Sequence, residues 1–254
     1  MSLICAPNFR DLGGRPAADG RRMRLGRVFR SEAILRPEPA DIDTLGRHGI
    51  QLVLDLRSTA EAETHPNHYL RGRGAEIIHF NVGTDVRAKG GFWDELAGDS
   101  SPVAVQALLQ KAYRQLPMAV APALRFLFER LEADAPPTLL HCAAGKDRTG
   151  IASALLLHAL GTPFDEIEED YLETRKRLTE PVRARGAAVM RKVAGGELSP
   201  ESLDMLLGVR RDFLGHAFSW MTGKYGNPDE FLRAEADLSD RRRARIRECL
   251  LESA

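Results

Sequence analysis

Residues 137–160 read PTLLHCAAGKDRTGIASALLLHAL. A short apolar run ends at His141 and Cys142, a loop of small and charged residues follows, and a long apolar segment closes the stretch. Short apolar runs of this kind are typical of buried parallel strands, and the closing segment is long enough for a buried helix. The stretch therefore predicts a strand, a loop and a helix. It places Cys142 at the carboxyl edge of a sheet, where α/β proteins bind their ligands.

The loop between this strand and this helix has the composition of an anion site. Five residues separate Cys142 from Arg148, which is enough for backbone N–H groups to curl around one tetrahedral oxyanion. The helix N-terminus adds a positive dipole end, and the guanidinium of Arg148 offers two parallel donors to phosphate oxygens. The predicted phosphate-binding residues are Ala143, Ala144, Gly145, Lys146, Asp147 and Arg148.

The same loop predicts a cysteine nucleophile. A helix N-terminus and nearby cations stabilise a thiolate, so we expect Cys142 to be largely ionised at neutral pH and able to attack phosphorus. Asp147, beside a bound dianion, would hold the proton that the departing oxygen needs. Thr149 would donate its hydroxyl to the leaving sulfur, Lys146 would add charge or bind a second anionic group, and His141 would support the loop.

The rest of the chain predicts an α/β fold. Apolar runs that end in polar residues indicate three more strands, in LGRVFRS (25–31), GIQLVLDLRS (49–58) and AEIIHFNV (75–82). Helical patterns alternate with them, and after residue 160 the chain reads as helix throughout. We therefore expect one domain over residues 1–254, with a central, mainly parallel sheet flanked by helices, a helical insertion and a helical C-terminal half.

Residues 84–136 are the least sheet-like part of the chain. Residues 103–116 predict an amphipathic helix, and helical patterning returns near the end of the segment. Pro117 and Pro122 are expected to break the helix between these two parts.

Part of this insertion, at about residues 84–120, is a candidate lid over the site. Phe92 and Trp93 lie among glycines there, which suits a closing loop. The alternative interpretation is that both aromatic residues belong to the core, since covering a site is only one use of a long connection.

Composition restricts the class of protein. Lys plus Arg and Asp plus Glu both total 36, so no net field draws the chain to nucleic acid or an anionic membrane. Three widely spaced cysteines and the lack of a basic, apolar leader favour a cytoplasmic location, with export by another route left open. No apolar run approaches the ~18 residues of a membrane span.

No ligand pair has metal-site spacing, so neither a metal nor a cofactor is expected. The basic run at 241–247 is interpreted as a solvated helix face.

Several segments together resemble a known family. HCAAGKDRTG (141–150) resembles the signature loop of the cysteine-dependent tyrosine phosphatases, in particular the HCxxGKDRTG loop of the bacterial and fungal tyrosine and lipid phosphatases. The segments that resemble other parts of that branch are NFRDLGG (8–14), VFRS (28–31), LDLRSTAEAE (54–63) and YGNPDEFLRAEADLSD (225–240). The resemblance extends over nearly the whole chain and is weakest in the insertion.

The resemblance implies a phosphatase fold and assigns roles within the loop. By similarity, Cys142 would be the nucleophile, Arg148 the phosphate clamp and Asp147 the acid. The residues of NFRDLGG expected to brace the site are Asn8, Arg10 and Asp11.

Two other aspartates remain open for the role of acid or of supporting group. Asp94 lies in an FWDEL segment, which lacks the proline of the Trp-Pro-Asp loop found in many tyrosine phosphatases. Asp55 ends the LVLDL strand on the same sheet edge as Cys142. It could orient Arg148 or a water, or simply pair with another arginine such as Arg30.

The predicted function is a metal-independent phosphomonoesterase that acts on phosphotyrosine, and also on phosphoserine or phosphothreonine, through a cysteinyl-phosphate. A phosphoinositide phosphatase is the alternative, because a base-rich loop containing Lys146 suits multiply phosphorylated headgroups.

Two other classes of protein are weaker alternatives. A silent module that binds phosphorylated ligands is less favoured, since Cys142 and Arg148 are both present. A rhodanese-like sulfur transferase is weaker still, since it does not require that arginine. The partners would be a phosphorylated protein or a phosphoinositide, with inorganic phosphate as product. The physiological substrate and the oligomeric state stay open.

Overall fold

The computed structural model describes residues 3–82 and 91–253, except the side chains of Trp93 and Pro181. The strands in these ranges are β1 (Arg10–Asp11), β2 (Arg21–Met23), β3 (Val28–Ser31), β4 (Leu52–Asp55), β5 (Glu76–His79), β6 (Thr138–His141) and β7 (Leu251–Ser253). The helices are α1 (Pro39–His48), α2 (Thr59–Thr64), α3 (His68–Gly72), α4 (Gly91–Gly98), α5 (Pro102–Glu132), α6 (Asp147–Leu160), α7 (Phe164–Arg177), α8 (Glu180–Ala194), α9 (Pro200–Leu207), α10 (Arg211–Tyr225), α11 (Pro228–Glu235) and α12 (Asp240–Leu250).

The main sheet has the strand order β1-β3-β6-β4-β5. Strands β3, β6, β4 and β5 run parallel to one another, and the short β1 pairs antiparallel with β3. Every residue of the central strand β6 is buried. The predicted mainly parallel sheet is therefore confirmed, and the loop that follows β6 lies at the middle of its carboxyl edge.

Helices cover both faces of this sheet because side chains alternate along each strand. Leu54 and Leu140 belong to the larger apolar cluster, which contains the inner faces of α5 and α6. Val53 and Leu139 belong to a second cluster, which includes residues of α1 and α3. The sheet is thus the middle layer of three.

Helix α5 is continuous through both of its internal prolines. The expectation that Pro117 and Pro122 break it was wrong, since one helix runs from Pro102 to Glu132. A proline removes one helical hydrogen bond and costs about 3 kcal/mol. Side chains on either side, such as Leu116 and Leu124, are almost fully buried in the larger cluster, and this packing outweighs the cost. No helix within the described ranges, α5 included, is long and apolar enough to cross a membrane.

The sequence predicted that the chain is helical to its C-terminal end, and this prediction was wrong for the last residues. Residues Leu251–Ser253 form β7, which pairs antiparallel with β2. Leu251 is extended and 2% exposed, so pairing and burial of this leucine end the helical run. The basic run 241–247 lies on α12, where Arg242 and Arg243 form ion pairs with acidic groups.

The candidate lid falls partly on described residues. Phe92 and Leu96 of α4 are fully buried in the larger cluster, which matches the core interpretation for Phe92. Residues 83–90 and the side chain of Trp93 lie outside the described part. Closure of residues 84–120 over a site stays a prediction.

Candidate active site

The carboxyl edge of the sheet positions the predicted nucleophile. His141, the last residue of β6, lies opposite Asp55 of β4, and Cys142 follows it with 2% of its surface exposed. Helix α6 begins at Asp147, so residues 142–146 connect the strand directly to a helix N-terminus. The positive end of the helix dipole therefore acts on the loop that carries the thiol.

The carbonyl oxygens of this loop face outwards. The Ala143 oxygen accepts a hydrogen bond from the Ala33 amide at 3.2 Å. Asn8 Nδ2 donates to the oxygens of Ala144 and Gly145 at 3.3 and 2.9 Å. In a trans peptide the N–H group points away from the C=O group, so the loop amides face the opposite side of the curl. An anion nest requires amides arranged in this way, and anion binding by the loop stays a prediction.

Gly145 makes the tight curl feasible. Its φ of +64° lies in the left-handed region that favours glycine. A Cβ atom built there would lie 2.4 Å from the Glu32 nitrogen and 2.5 Å from the Ser31 oxygen, both backbone atoms. The loop therefore rests directly against the end of β3, and a larger residue does not fit.

A buried cluster of charges braces the outside of the loop. Arg30 donates to the Gly145 oxygen at 2.8 Å, and Asp170 of α7 accepts from Arg30 and Arg10 at 2.5 and 2.9 Å. Arg10 also donates to Asn8 Oδ1 at 2.5 Å. Burial alone would raise the pKa of Asp170, but the two arginines hold it well below its usual range. NFRDLGG therefore supports the loop through two of its side chains.

A bidentate ion pair fixes Arg148. Its two terminal nitrogens donate to Glu61 of α2 at 2.9 and 2.6 Å. Burial alone would raise the pKa of Glu61, but the hydrogen bonds from Arg148 lower it to about 2, so Glu61 is charged at neutral pH. Glu61 was not among the residues predicted from the sequence. A readable signal existed, since Glu61 closes the capping box that Ser58 opens within LDLRSTAEAE.

The Glu61→Gln variant is expected to lower kcat/KM for phosphotyrosine substrates by roughly ten- to a hundredfold. A hydrogen bond to a charged group contributes about 1.5–3 kcal/mol. Part of this free energy holds the Arg148 guanidinium in a fixed orientation before substrate binds. Steady-state kinetics and the inhibition constant of inorganic phosphate would measure the effect. The matched control is Glu63→Gln, an exposed residue of the same helix, which should behave as wild type. Equal effects of the two substitutions would contradict the clamp.

Asp55 pairs with an arginine, as the alternative interpretation held, but this arginine is Arg57 and not Arg30. Its oxygens accept from Arg57 at 2.8 and 2.6 Å. Burial alone would raise the pKa of Asp55, but the hydrogen bonds from Arg57 bring it below its usual value. The partner of Arg148 is Glu61, so Asp55 does not form the ion pair that orients the phosphate clamp.

Asp55 instead supports His141 through Asn67. Asn67 Nδ2 lies 2.8 Å from Asp55 Oδ2 and 3.2 Å from His141 Nε2. Burial lowers the pKa of His141 to about 4, so the imidazole is neutral at pH 7. With Asn67 donating to Nε2, His141 Nδ1–H donates to the Cys142 oxygen at 3.3 Å. The histidine thereby fixes the backbone of the cysteine.

Lys146 and Asp147 are both held by groups outside the loop. Lys146 is 3% exposed, and its ammonium donates to the Leu206 oxygen at 2.8 Å and lies 3.5 Å from the Asp147 carboxylate. The Tyr113 hydroxyl of α5 donates to Asp147 Oδ1, and the Tyr171 hydroxyl lies 2.5 Å from that of Tyr113. Neither tyrosine was predicted from the sequence to lie at the site.

Three further residues singled out by the sequence lie in different surroundings. Thr149 is fully buried, and its hydroxyl has no hydrogen-bond partner among the described residues. Asp94 is exposed on α4. Asp11 accepts from the amides of Gly13 and Gly26 at 2.8 and 2.6 Å, so it stabilises turns.

A sequence model described as the tyrosine phosphatase family matches residues 1–252. The chain belongs to the tyrosine phosphatase family. As a member of the cysteine-dependent phosphatases it is an enzyme, and it hydrolyses phosphotyrosine. The alternatives of a silent binding module and of a sulfur transferase are therefore set aside.

Individual relatives agree with the family. A protein of Cupriavidus necator, whose name assigns it provisionally to the tyrosine-protein phosphatases, is 32% identical over 89% of this chain and 80% of its own length. The triple specificity protein phosphatase PtpB of Mycobacterium tuberculosis is 33% identical over 96% of each chain. A tyrosine-protein phosphatase of Nostoc commune is 28% identical over 61% of this chain and 51% of its own. The first two alignments span nearly the whole phosphatase.

Proposed function

We propose that this phosphatase works through Cys142 as nucleophile, Arg148 as phosphate clamp and Asp147 as acid and base. The observation that carries the proposal is the loop that connects them. Its carbonyl oxygens are bonded on the outside, its amides face inwards, and Arg148 is held by Glu61. Such a loop supplies preorganised donors to the equatorial oxygens of a phosphoryl group.

The reaction then has two displacements at phosphorus. In the first, the Cys142 thiolate forms a P–S bond while the P–O bond to the leaving group breaks, and Asp147 gives its proton to the departing oxygen. In the second, water attacks the cysteinyl-phosphate, the P–S bond breaks, and Asp147 takes the proton of the water. The buried hydroxyl of Thr149 donates to the sulfur as it leaves, and inorganic phosphate is released.

The proposed substrates are phosphorylated proteins, with phosphoserine and phosphothreonine beside phosphotyrosine. The name of the mycobacterial relative, which specifies triple specificity, supports a range wider than phosphotyrosine. Phosphoinositides are the alternative extension. They receive less support from Lys146, because its ammonium lies on the Leu206 oxygen and beside Asp147.

The Asp147→Asn variant tests the assignment of the acid. On phenyl phosphate, whose leaving group needs a proton, kcat/KM, which covers the steps up to formation of the cysteinyl-phosphate, should fall by roughly 10²–10⁴-fold. On p-nitrophenyl phosphate, whose leaving group is much better, the fall should be far smaller. The measurement is the ratio of the two kcat/KM values, determined in excess EDTA for variant and wild type.

The matched control is Asp94→Asn, which should leave the ratio unchanged. A normal ratio in Asp147→Asn together with an altered ratio in Asp94→Asn would move the acid to α4. Inhibition of the wild type by EDTA would contradict the metal-independent reaction.

A further inference from the structure

Two buried hydroxyl groups form a chain that ends on Asp147. The Tyr113 side chain is 1% exposed and Tyr171 fully buried, although each hydroxyl is polar. The Phe213 ring packs against the Tyr113 ring at 5.1 Å between centroids. The Tyr171 ring contacts the Tyr113 ring edge-on, with 6.4 Å between centroids. A Cβ atom on Gly150 would lie 3.0 Å from the Tyr171 ring, so this glycine makes room for the ring beside α6.

The direction of the first hydrogen bond follows from electrostatics. Burial and the negative charge of Asp147 raise the pKa of Tyr113 well above its usual value, so Tyr113 keeps its proton and donates it. A donor to a carboxylate stabilises the charged form of that group. Within the described part of the chain, the Lys146 ammonium also faces the carboxylate, 3.5 Å from Oδ2. The carboxylate is thus held between α5 and the loop itself.

We propose that Tyr113 is a positioning residue for proton transfer by Asp147. Its hydroxyl fixes the carboxyl group at the rim of the loop and stabilises the carboxylate that remains after Asp147 has protonated the leaving oxygen. Tyr171 holds the Tyr113 hydroxyl in place from α7. The inference rests on the proposed role of Asp147. It gives the insertion a part in the chemistry through the inner face of α5.

The test is the pH dependence of kcat/KM for phenyl phosphate in Tyr113→Phe, whose ring preserves the packing against Phe213. The basic limb marks the loss of the proton from the acid of the free enzyme. Losing one donor to the charged form should move that limb upwards by roughly one pH unit. Tyr171→Phe is the matched control, because it leaves the hydrogen bond to Asp147 in place and should move the limb less than half as far.

Two further variants separate positioning from packing. In an Asp147→Asn background, Tyr113→Phe should change kcat by less than about twofold, since contacting residues that act as one unit are not additive. Incorporation of 3-fluorotyrosine at position 113 keeps the shape and makes the hydroxyl a stronger donor, so the basic limb should move downwards.

The outcomes distinguish this inference from the proposed function. If Asp147→Asn impairs phenyl phosphate turnover while the Tyr113 variants leave the basic limb in place, only the role of Tyr113 is overturned. An equal loss from Tyr113→Phe with and without Asp147 would also overturn it, as a packing effect. If Asp147→Asn shows no dependence on the leaving group, the proposed acid is wrong and the role of Tyr113 falls with it.

Discussion

Replacement of Cys142 by serine is expected to abolish turnover and to leave phosphate binding intact. A serine hydroxyl stays protonated at neutral pH, and removal of a catalytic nucleophile lowers kcat by roughly 10⁴- to 10⁶-fold. The proposed anion donors are loop amides and Arg148, which the substitution does not change. Inorganic phosphate should therefore still raise the Tm of Cys142→Ser. Hydrolysis of a phosphotyrosine peptide and thermal unfolding with and without phosphate measure the two effects.

Cys5 supplies a control within the same chain. Burial and the hydrogen bond with Asp41 raise the pKa of Cys5 to about 12, so its thiol stays protonated and poorly nucleophilic. Cys5→Ser should keep the wild-type kcat, and iodoacetamide should inactivate the wild type by alkylating Cys142. More than roughly 1% residual activity in Cys142→Ser would contradict the nucleophile. Loss of the phosphate effect in a folded Cys142→Ser protein would contradict the loop as the anion site.

The sheet and the loop of residues 142–146 were predictable as structure because their determinants are local. The strand, the curl and the helix are encoded within residues 137–160, where apolar runs, a glycine and a helix N-terminus follow one another. Gly145 could be expected to relax the backbone. Its close approach to the end of β3 could not, because that contact depends on a strand more than a hundred residues earlier.

The groups that hold the loop residues were harder to predict because they come from distant segments. Tyr113 and Asp170 meet the site only after α5 and α7 have packed, and nothing in their local sequence marks them. Glu61 is an intermediate case. Its capping box with Ser58 can be read from the sequence, but its partner Arg148 lies 87 residues away. Asp55 was placed at the right sheet edge, and its alternative role as the partner of an arginine is the one observed, although that arginine is Arg57 and not the Arg30 given as the example.

Helix propensity failed where tertiary contacts outweighed it. Pro117 and Pro122 would end an isolated helix, but α5 continues through them because neighbouring side chains such as Leu116 and Leu124 are buried in the larger cluster. The final residues follow a helical pattern, yet Leu251 gains both burial and a partner strand by becoming extended. In both cases the sequence pattern describes the segment alone, and the fold is decided by what packs on it.

The second large effect is expected from Gly145→Ala. The left-handed backbone alone costs a non-glycine residue about 1–2 kcal/mol. The new methyl group would also overlap the backbone of Ser31 and Glu32, at 2.4–2.5 Å, so the loop has to move away from β3. A displacement of about 1 Å at a reacting centre can lower the rate roughly a hundredfold. We expect kcat/KM to fall at least a hundredfold and the free energy of unfolding to fall by more than the left-handed cost.

Gly49→Ala separates these two contributions, because Gly49 shares the left-handed conformation but not the crowding. Its φ is +57°, and no atom lies within 4 Å of a Cβ built there. Denaturant unfolding of Gly49→Ala should show a loss of about 1–2 kcal/mol, with phosphotyrosine hydrolysis within twofold of wild type. The difference between the two losses in free energy of unfolding then measures the cost of disturbing the contact between the loop of residues 142–146 and β3. Equal losses of stability, with activity retained in Gly145→Ala, would mean that the loop does not depend on this contact for its curl.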